Sequence, residues 1–291
     1  MKNKRMHLMA GVLAICLVDA AQAADKNLVE QTFAKAWRGA SGIDYVKPSG
    51  DDVDAMRGLF TRLLKGERGE EINSHLKQLG WNLRTQSSGN ATWTVLTEAE
   101  NKRSGRGLFA IASRGRHALQ APHVPSDGLT GDILLRYAAD GLPRALAWNT
   151  LPRSKIDLAH SDGTYFIAFS QAYTDVFPND KVIQVHGFEG SRRRTRAGEQ
   201  SGAIISATHR NPSRELHTAV DCLKQRLDPN TRLYGKDVSE LGGTTNSIAR
   251  TLRRDGYEGF IHVELSLPLR EALHADAQKR QALFECLGGL Q

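Results

Sequence analysis

The change of hydrophobic period at Trp81 restricts the fold of this chain more than any other feature of it. Beyond that point short runs of β-branched, aromatic and aliphatic residues recur, first at Ala91–Leu96, Gly107–Ala112 and Ala118–Pro122, where alternation along the run predicts strands. Helical spacing then interleaves with such runs. It predicts a helix over Gly131–Ala139, a strand at Arg144–Trp148, a helix over Tyr165–Tyr173 and strands at Lys181–Val185 and Ala203–Ala207. Helices at Pro212–Leu227 and Thr245–Arg254, a strand at Phe260–Leu265 and a last helix from Arg270 to about Cys286 complete the series. Strands this short and apolar must be covered on both faces. The expectation is an α/β fold of three layers, α/β/α, around a mostly parallel or mixed sheet.

Upstream, Leu28 to Leu79 reads as helical: Met56, Leu59, Phe60, Leu63 and Leu64 recur at spacings of three and four, as do Ile72, Leu76 and Leu79. Gly80 suits a helix C-terminus. At the very start, Lys2, Lys4 and Arg5 precede an apolar run, Leu8 to Val18, and the triplet Ala21-Gln22-Ala23. That order of charge, short hydrophobic stretch and small residues predicts a signal peptide over 1–23 and a periplasmic or secreted protein. The run is too short to span a bilayer, which needs about 20 apolar residues, so no stable membrane insertion is expected after cleavage. The division is therefore a leader at 1–23, a helical region at 24–80 and an α/β domain at 81–291.

Losing the leader lowers the formal charge from +7 to +5, a balance that a mixed solvated surface accommodates. Nucleic acid is excluded as a partner, because neither an aromatic-studded basic motif nor a zinc-finger spacing occurs. Only Cys222 and Cys286 remain of the three cysteines, an even pair that suits an oxidising compartment. Joined, they would stabilise the fold by roughly 4 kcal/mol on the chain-entropy account; the alternative is two buried thiols.

In open α/β sheets functional residues collect where strands end. The strand at Ala118–Pro122 runs into His123, with Asp127 four residues on; Lys181–Val185 runs into His186; and Glu264 sits inside Ile261-His-Val-Glu-Leu265. Two imidazoles and a carboxylate form a common ligand set for catalytic zinc, with a fourth position left for water. Asp127 has a plainer alternative, capping the helix that begins near Thr130. Glu264 interrupts an apolar strand, where an unpaired buried charge is costly, so a metal-held water or His262 on the same strand face must compensate it.

Pro122-His123 with its nearby acid, Arg153 and Asp157 in Pro152-Arg-Ser-Lys-Ile-Asp-Leu-Ala-His160, Val185-His-Gly-Phe188 and Val263-Glu-Leu-Ser266 occur in this order. From about Ala121 to Arg270 the chain thereby resembles the zinc-dependent carboxypeptidases and amidohydrolases, a group that includes N-formylglutamate amidohydrolases, poly-γ-glutamate hydrolases and cell-wall amidases. The resemblance implies one zinc ion on His123, Asp127 and His186, Glu264 as general base, and Arg153 on a substrate carboxylate or oxyanion. Asp157 and His160 would stand beside Arg153 at the substrate; the alternative for Arg153 is an ion pair with Asp157 that orders the loop. One departure touches Asp127: carboxypeptidases place a Glu three residues after the His, not an Asp at four. The implied partner is a small-molecule or peptide substrate, cell-wall derived or otherwise carboxylate-bearing.

A metal-free periplasmic binding protein on the same fold is the competing class, and zinc stoichiometry separates the two. A serine hydrolase is disfavoured because no G-x-S-x-G elbow occurs. The basic run Arg192-Arg-Arg-Thr-Arg196 reads either as a rim for anionic substrates or as a solvated loop. Gly242-Gly-Thr-Thr-Asn246 lacks the lysine of a phosphate loop and reads as a tight turn with a Thr or Asn cap.

Overall fold

Pro48 and Ser49 set the first boundary, because a residue before proline is pushed out of the helical region and serine accepts from a helix N-terminus. In the computed structural model, which describes residues 33–35, 42–88, 91–124 and 126–289, Ser49 Oγ accepts from Asp52 N and helix α1 runs Gly50–Leu64. Helix α2 follows at Glu70–Gln78, and Gly80 takes a φ of 82° just past it. The continuous helical pattern expected from Leu28 is thus corrected: residues 43–49 are not helical. The predicted leader, its cleavage point after Ala23 and the stretch 28–32 lie outside the described residues.

Nine strands form one mixed sheet among the described residues, in the order β1-β2-β3-β5-β4-β6-β9-β7-β8. They are β1 (Trp81–Ser88), β2 (Ala91–Glu98), β3 (Leu108–Ala112), β4 (Arg116–Ala121), β5 (Pro143–Trp148), β6 (Val182–Phe188), β7 (Ala203–Ser206), β8 (Thr231–Leu233) and β9 (Phe260–Ser266). The central four, β5-β4-β6-β9, are mutually parallel, while β1, β2 and β3 join by antiparallel ladders and β7 runs antiparallel to β9.

Helices cover both faces, as the alternation predicted. One face carries α3 (Thr130–Asp140), α6 (Arg214–Arg226), α8 (Leu267–Ala275) and α9 (Ala277–Gly288) over Leu119, Leu146, Ile183, Val263 and their neighbours. The other carries α1, α2, α4 (Tyr165–Val176) and α7 (Ser247–Arg254) over Phe109, Ala118, Val182 and Phe260; the short α5 (Arg196–Glu199) stands apart from both. The last helix, expected as one, divides at Asp276, whose carboxylate accepts from Gln278 N and Lys279 N and so starts α9.

On the second face the apolar alternation gives way to polar residues on the central strands. Beyond Ala118, Val182 and Phe260 the residues that share this face are Gln120 on β4, Gln184 and His186 on β6, and His262 and Glu264 on β9, all of them buried. Register sets them side by side: Gln120 opposite Gln184, Gln184 opposite His262, His186 opposite Glu264. A polar lane therefore occupies the carboxyl-terminal half of three adjacent parallel strands.

Cys222 on α6 and Cys286 on α9 are joined by a disulfide with their Cα atoms 5.6 Å apart. No described helix is long and apolar enough to cross a membrane.

At the opposite end of the sheet, buried His117 donates its N–H to Asp180 Oδ2 at 3.1 Å, and its Nδ1 accepts from Lys181 N at 2.9 Å. Burial pushes this imidazole from its ordinary 6.5 down to about 4, against the pull of Asp180. Between those values the unfolded chain binds a proton that the folded one refuses, so stability is complete above pH 6.5 and is lost as pH falls toward 4. The slope approaches about 1.4 kcal/mol per pH unit for one proton. Urea unfolding of His117→Gln across this window should give a shallower slope than wild type by nearly one proton; equal slopes would refute the assignment.

Candidate metal centre

The loop after β4 brings the first two residues together. His123 O accepts from both Ser126 N and Asp127 N at 2.8 Å, a tight turn that folds Asp127 back over the His123 ring. The carboxylate does not cap α3, as the plainer reading of Asp127 allowed: Thr130 bonds the Asp127 carbonyl through its N–H and its hydroxyl, and the α3 N-cap is Leu129. Asp127 Oδ2 instead lies 3.4 Å from His123 Nδ1, 3.6 Å from His186 Nδ1 and 3.1 Å from Gly187 N, which donates to it. His123 Nδ1 and His186 Nδ1 are 3.1 Å apart.

Protons on the far sides of the rings decide what this convergence means. His123 Nε2 lies 2.9 Å from Asp157 Oδ1, and a carboxylate only accepts, so Nε2 carries the proton and Nδ1 is bare. His186 Nε2 lies 3.0 Å from Gln184 Oε1, another acceptor, which leaves its Nδ1 bare as well. Two lone pairs and a carboxylate oxygen then face one point with no hydrogen between them. Such a cluster repels unless a cation joins it. Tetrahedral zinc with bonds of about 2.0–2.2 Å would separate its ligand atoms by about 3.3–3.6 Å, close to the spacings found. Donor chemistry and distances therefore fit a small divalent ion.

Electrostatics favour an ionised Asp127 and a neutral His186 ring. Burial drives the His186 imidazole down to about 4, assisted by His262. Burial would raise the Asp127 carboxyl, but the adjoining His123 and His186 rings outweigh it and hold the group well below the usual carboxylate range. For His123 burial again opposes charge, and Asp127 with Asp157 overcomes it, raising the imidazole.

A second group, His123, Asp157 and His160, also has ligand-type atoms within 4.8 Å of one another. Its contacts differ in kind: Asp157 Oδ1 accepts from His123 Nε2 and His160 Nδ1, both at 2.9 Å, so hydrogen bonds alone satisfy it. Asp157 Oδ2 takes Arg153 Nε at 2.8 Å, and Arg153 N donates to Ser126 Oγ in the His123 loop. Against burial, the bonds from His123 and His160 hold the Asp157 carboxyl far below its ordinary range. Arg153 is half exposed, with the ion pair to Asp157 spending only one edge of its guanidinium.

Glu264 pairs with His262, Oε1 to Nε2 at 3.2 Å, the compensation expected on its own strand face; the His262 and His186 rings stack at 4.4 Å. Three residues that the sequence left without a role also belong here. Buried Arg270, from α8, bonds the carbonyls of Gly128 and Phe188 and so ties the Asp127 loop to the end of β6. A Cβ at Gly187 would come within 2.7 Å of its guanidinium carbon, so that position has no room for a side chain. Gln120 and Gln184, polar residues inside apolar strands, carried the same signal that singled out Glu264. The segment at Gly242 is a turn, as read: Asn246 caps α7 by accepting from Ala249 N. In the basic run, Glu240 takes Arg194 N and the Thr195 N–H and hydroxyl, while Arg192, Arg194 and Arg196 stay exposed.

No family model matches the chain, and no curated protein matches it. Among solved structures it is similar to one titled "YNDL-apo (Zinc-free)", at 14% identity and a TM-score of 0.33 over 68% of this chain and 80% of that one.

Proposed function

We propose that this protein is an exported zinc-dependent hydrolase of an amide or peptide bond, acting on a carboxylate-bearing substrate. The observation that carries the proposal is the convergence of His123 Nδ1, His186 Nδ1 and Asp127 Oδ2, with both imidazole protons turned away. Those three atoms would hold the ion. Zinc so held supplies a Lewis acid and lowers the pKa of a water to about 7.

Glu264, beside His186 in register and steadied by His262, would take the proton of the attacking water and return it to the leaving nitrogen. Arg153, kept in place through its Nε by Asp157, would offer its remaining N–H groups to a substrate carboxylate. Exposed Arg192, Arg194 and Arg196, in the loop that follows β6, add positive charge for such a substrate.

The test begins with zinc content: purified protein should carry one equivalent, and a metal-free binding protein would carry none. Zinc-loaded protein would then be screened against peptidoglycan fragments, N-acyl amino acids and γ-glutamyl peptides. On whichever is cleaved, Glu264→Gln should keep its zinc while kcat falls 10²-fold or more, because Gln preserves shape but cannot accept a proton. Wild-type turnover by that variant would move the base elsewhere, with His262 and His160 next in line.

A further inference from the structure

We infer that a buried chain of side-chain amides, Gln120–Gln184–Asn246, fixes the proton of His186 on Nε2 and thereby keeps Nδ1 bare toward His123 and Asp127. Gln184 is thus a positioning residue, acting through His186. The inference follows from the direction of the hydrogen bonds, which two backbone groups dictate from opposite ends.

At one end Ser170 Oγ donates to the Phe166 carbonyl at 2.7 Å, its single hydrogen spent on a group that can only accept. The Ser170 oxygen must then accept from Gln120 Nε2, 2.7 Å away, which turns Gln120 Oε1 toward Gln184. Gln184 Nε2 donates to that oxygen at 2.9 Å, leaving Gln184 Oε1 as the atom on the other side. At the far end the Ala249 N–H can only donate, and it bonds Asn246 Oδ1 at 3.0 Å; Asn246 therefore presents Nδ2, which donates to the same Gln184 Oε1.

Reversing any one amide would set donor against donor or acceptor against acceptor in a place closed to water. Ser170, Gln120 and Gln184 have no exposure at all and Asn246 has 1%. An unpaired buried polar group costs about 1–3 kcal/mol, so the chain has one arrangement. Gln184 Oε1 must accept, and His186 Nε2, 3.0 Å from it, must donate. The tautomer of the candidate ligand is thus written into β4, β6, α4 and the N-cap of α7. Its bearing on metal affinity rests on the zinc reading; the tautomer does not.

The experiment is a two-bond ¹H–¹⁵N correlation spectrum of the histidine rings in metal-free protein at pH 8, above the ordinary imidazole range, together with zinc dissociation constants by chelator competition. Wild type should show His186 protonated on Nε2. Gln184→Met, similar in shape but without an acceptor, should lose that single tautomer and weaken zinc 10- to 100-fold. Gln184→Glu keeps an acceptor for His186 while losing the donor to Gln120, so it should be less stable yet retain the tautomer and near-normal zinc affinity. A role in packing alone predicts instead that both variants lose zinc in proportion to stability. Wild-type His186 protonated on Nδ1, or a folded Gln184→Met with unchanged tautomer and zinc affinity, would overturn the inference. Should Gln184→Met not fold, wild type and Gln184→Glu still decide it. Protein with the Nε2 proton but no affinity for zinc would uphold the tautomer lock and defeat the zinc reading.

Discussion

His186→Ala should leave a folded protein with no tightly held zinc and hydrolysis at the background rate. His186 faces both of the other converging groups, and its loss leaves His123 and Asp127 as a two-point site. Two ligands do not hold an ion that a three-ligand set would retain against dialysis. Stability supplies a second readout. Zinc bound only by the folded state raises stability by RT ln(1 + [Zn]/Kd), about 2.7 kcal/mol at a hundredfold excess over Kd. Wild type should therefore melt higher with zinc than with chelator, and His186→Ala should melt alike in both. Equal zinc content in the two proteins would remove His186 from the ligand set.

Breaking the Cys222–Cys286 bridge should lower folding stability by about 4 kcal/mol, near a thousandfold in the folding equilibrium. The bond closes a 64-residue separation and ties α6 to α9, two helices that cover the same face of the sheet. Its removal enlarges the unfolded ensemble without opening the polar lane, which lies on the other face. Urea unfolding of the Cys222→Ala/Cys286→Ala double variant, compared with oxidised wild type, measures the loss. Zinc affinity under native conditions should not change. A loss below about 1 kcal/mol would mean that native strain cancels the entropic gain.

The strands and most helices were legible because they are the part of the chain where period alone carries information. Ala91–Leu96, Phe260–Leu265 and Tyr165–Tyr173 fall inside the observed elements within a few residues. β8 was not, since Thr231-Arg-Leu233 is three residues with a charged centre, too short for any alternation. The split at Asp276 escaped for a different reason: apolar spacing continues across it, and only the cap reveals the break. In the site, His123, His186 and Glu264 were visible as ionisable residues at or inside strand ends. At Asp157 the ion pair with Arg153 was legible too, whereas the bonds from His123 and His160 were not, because no periodicity encodes the loop path that brings them together. Arg270 was equally hidden, a charge on an amphipathic helix that looks solvent-facing until the carbonyls of Gly128 and Phe188 are placed against it.

The strand order has a consequence for how the protein is made. β9 is the last strand in the chain yet lies between β6 and β7, with seven register pairs on one side and four on the other. Until residues 260–266 are synthesised, the sheet exists as two unjoined pieces, β1-β2-β3-β5-β4-β6 and β7-β8, each presenting an open edge that any extended segment can pair with. A nascent chain ending at residue 259 would hold His123, Asp127 and His186 but neither Glu264 nor Arg270. Such long-range closure is slow and exposes apolar edges while it waits. The chain therefore acquires its candidate ligands well before the strand that brings Glu264, and closing the sheet and completing the site become a single late event.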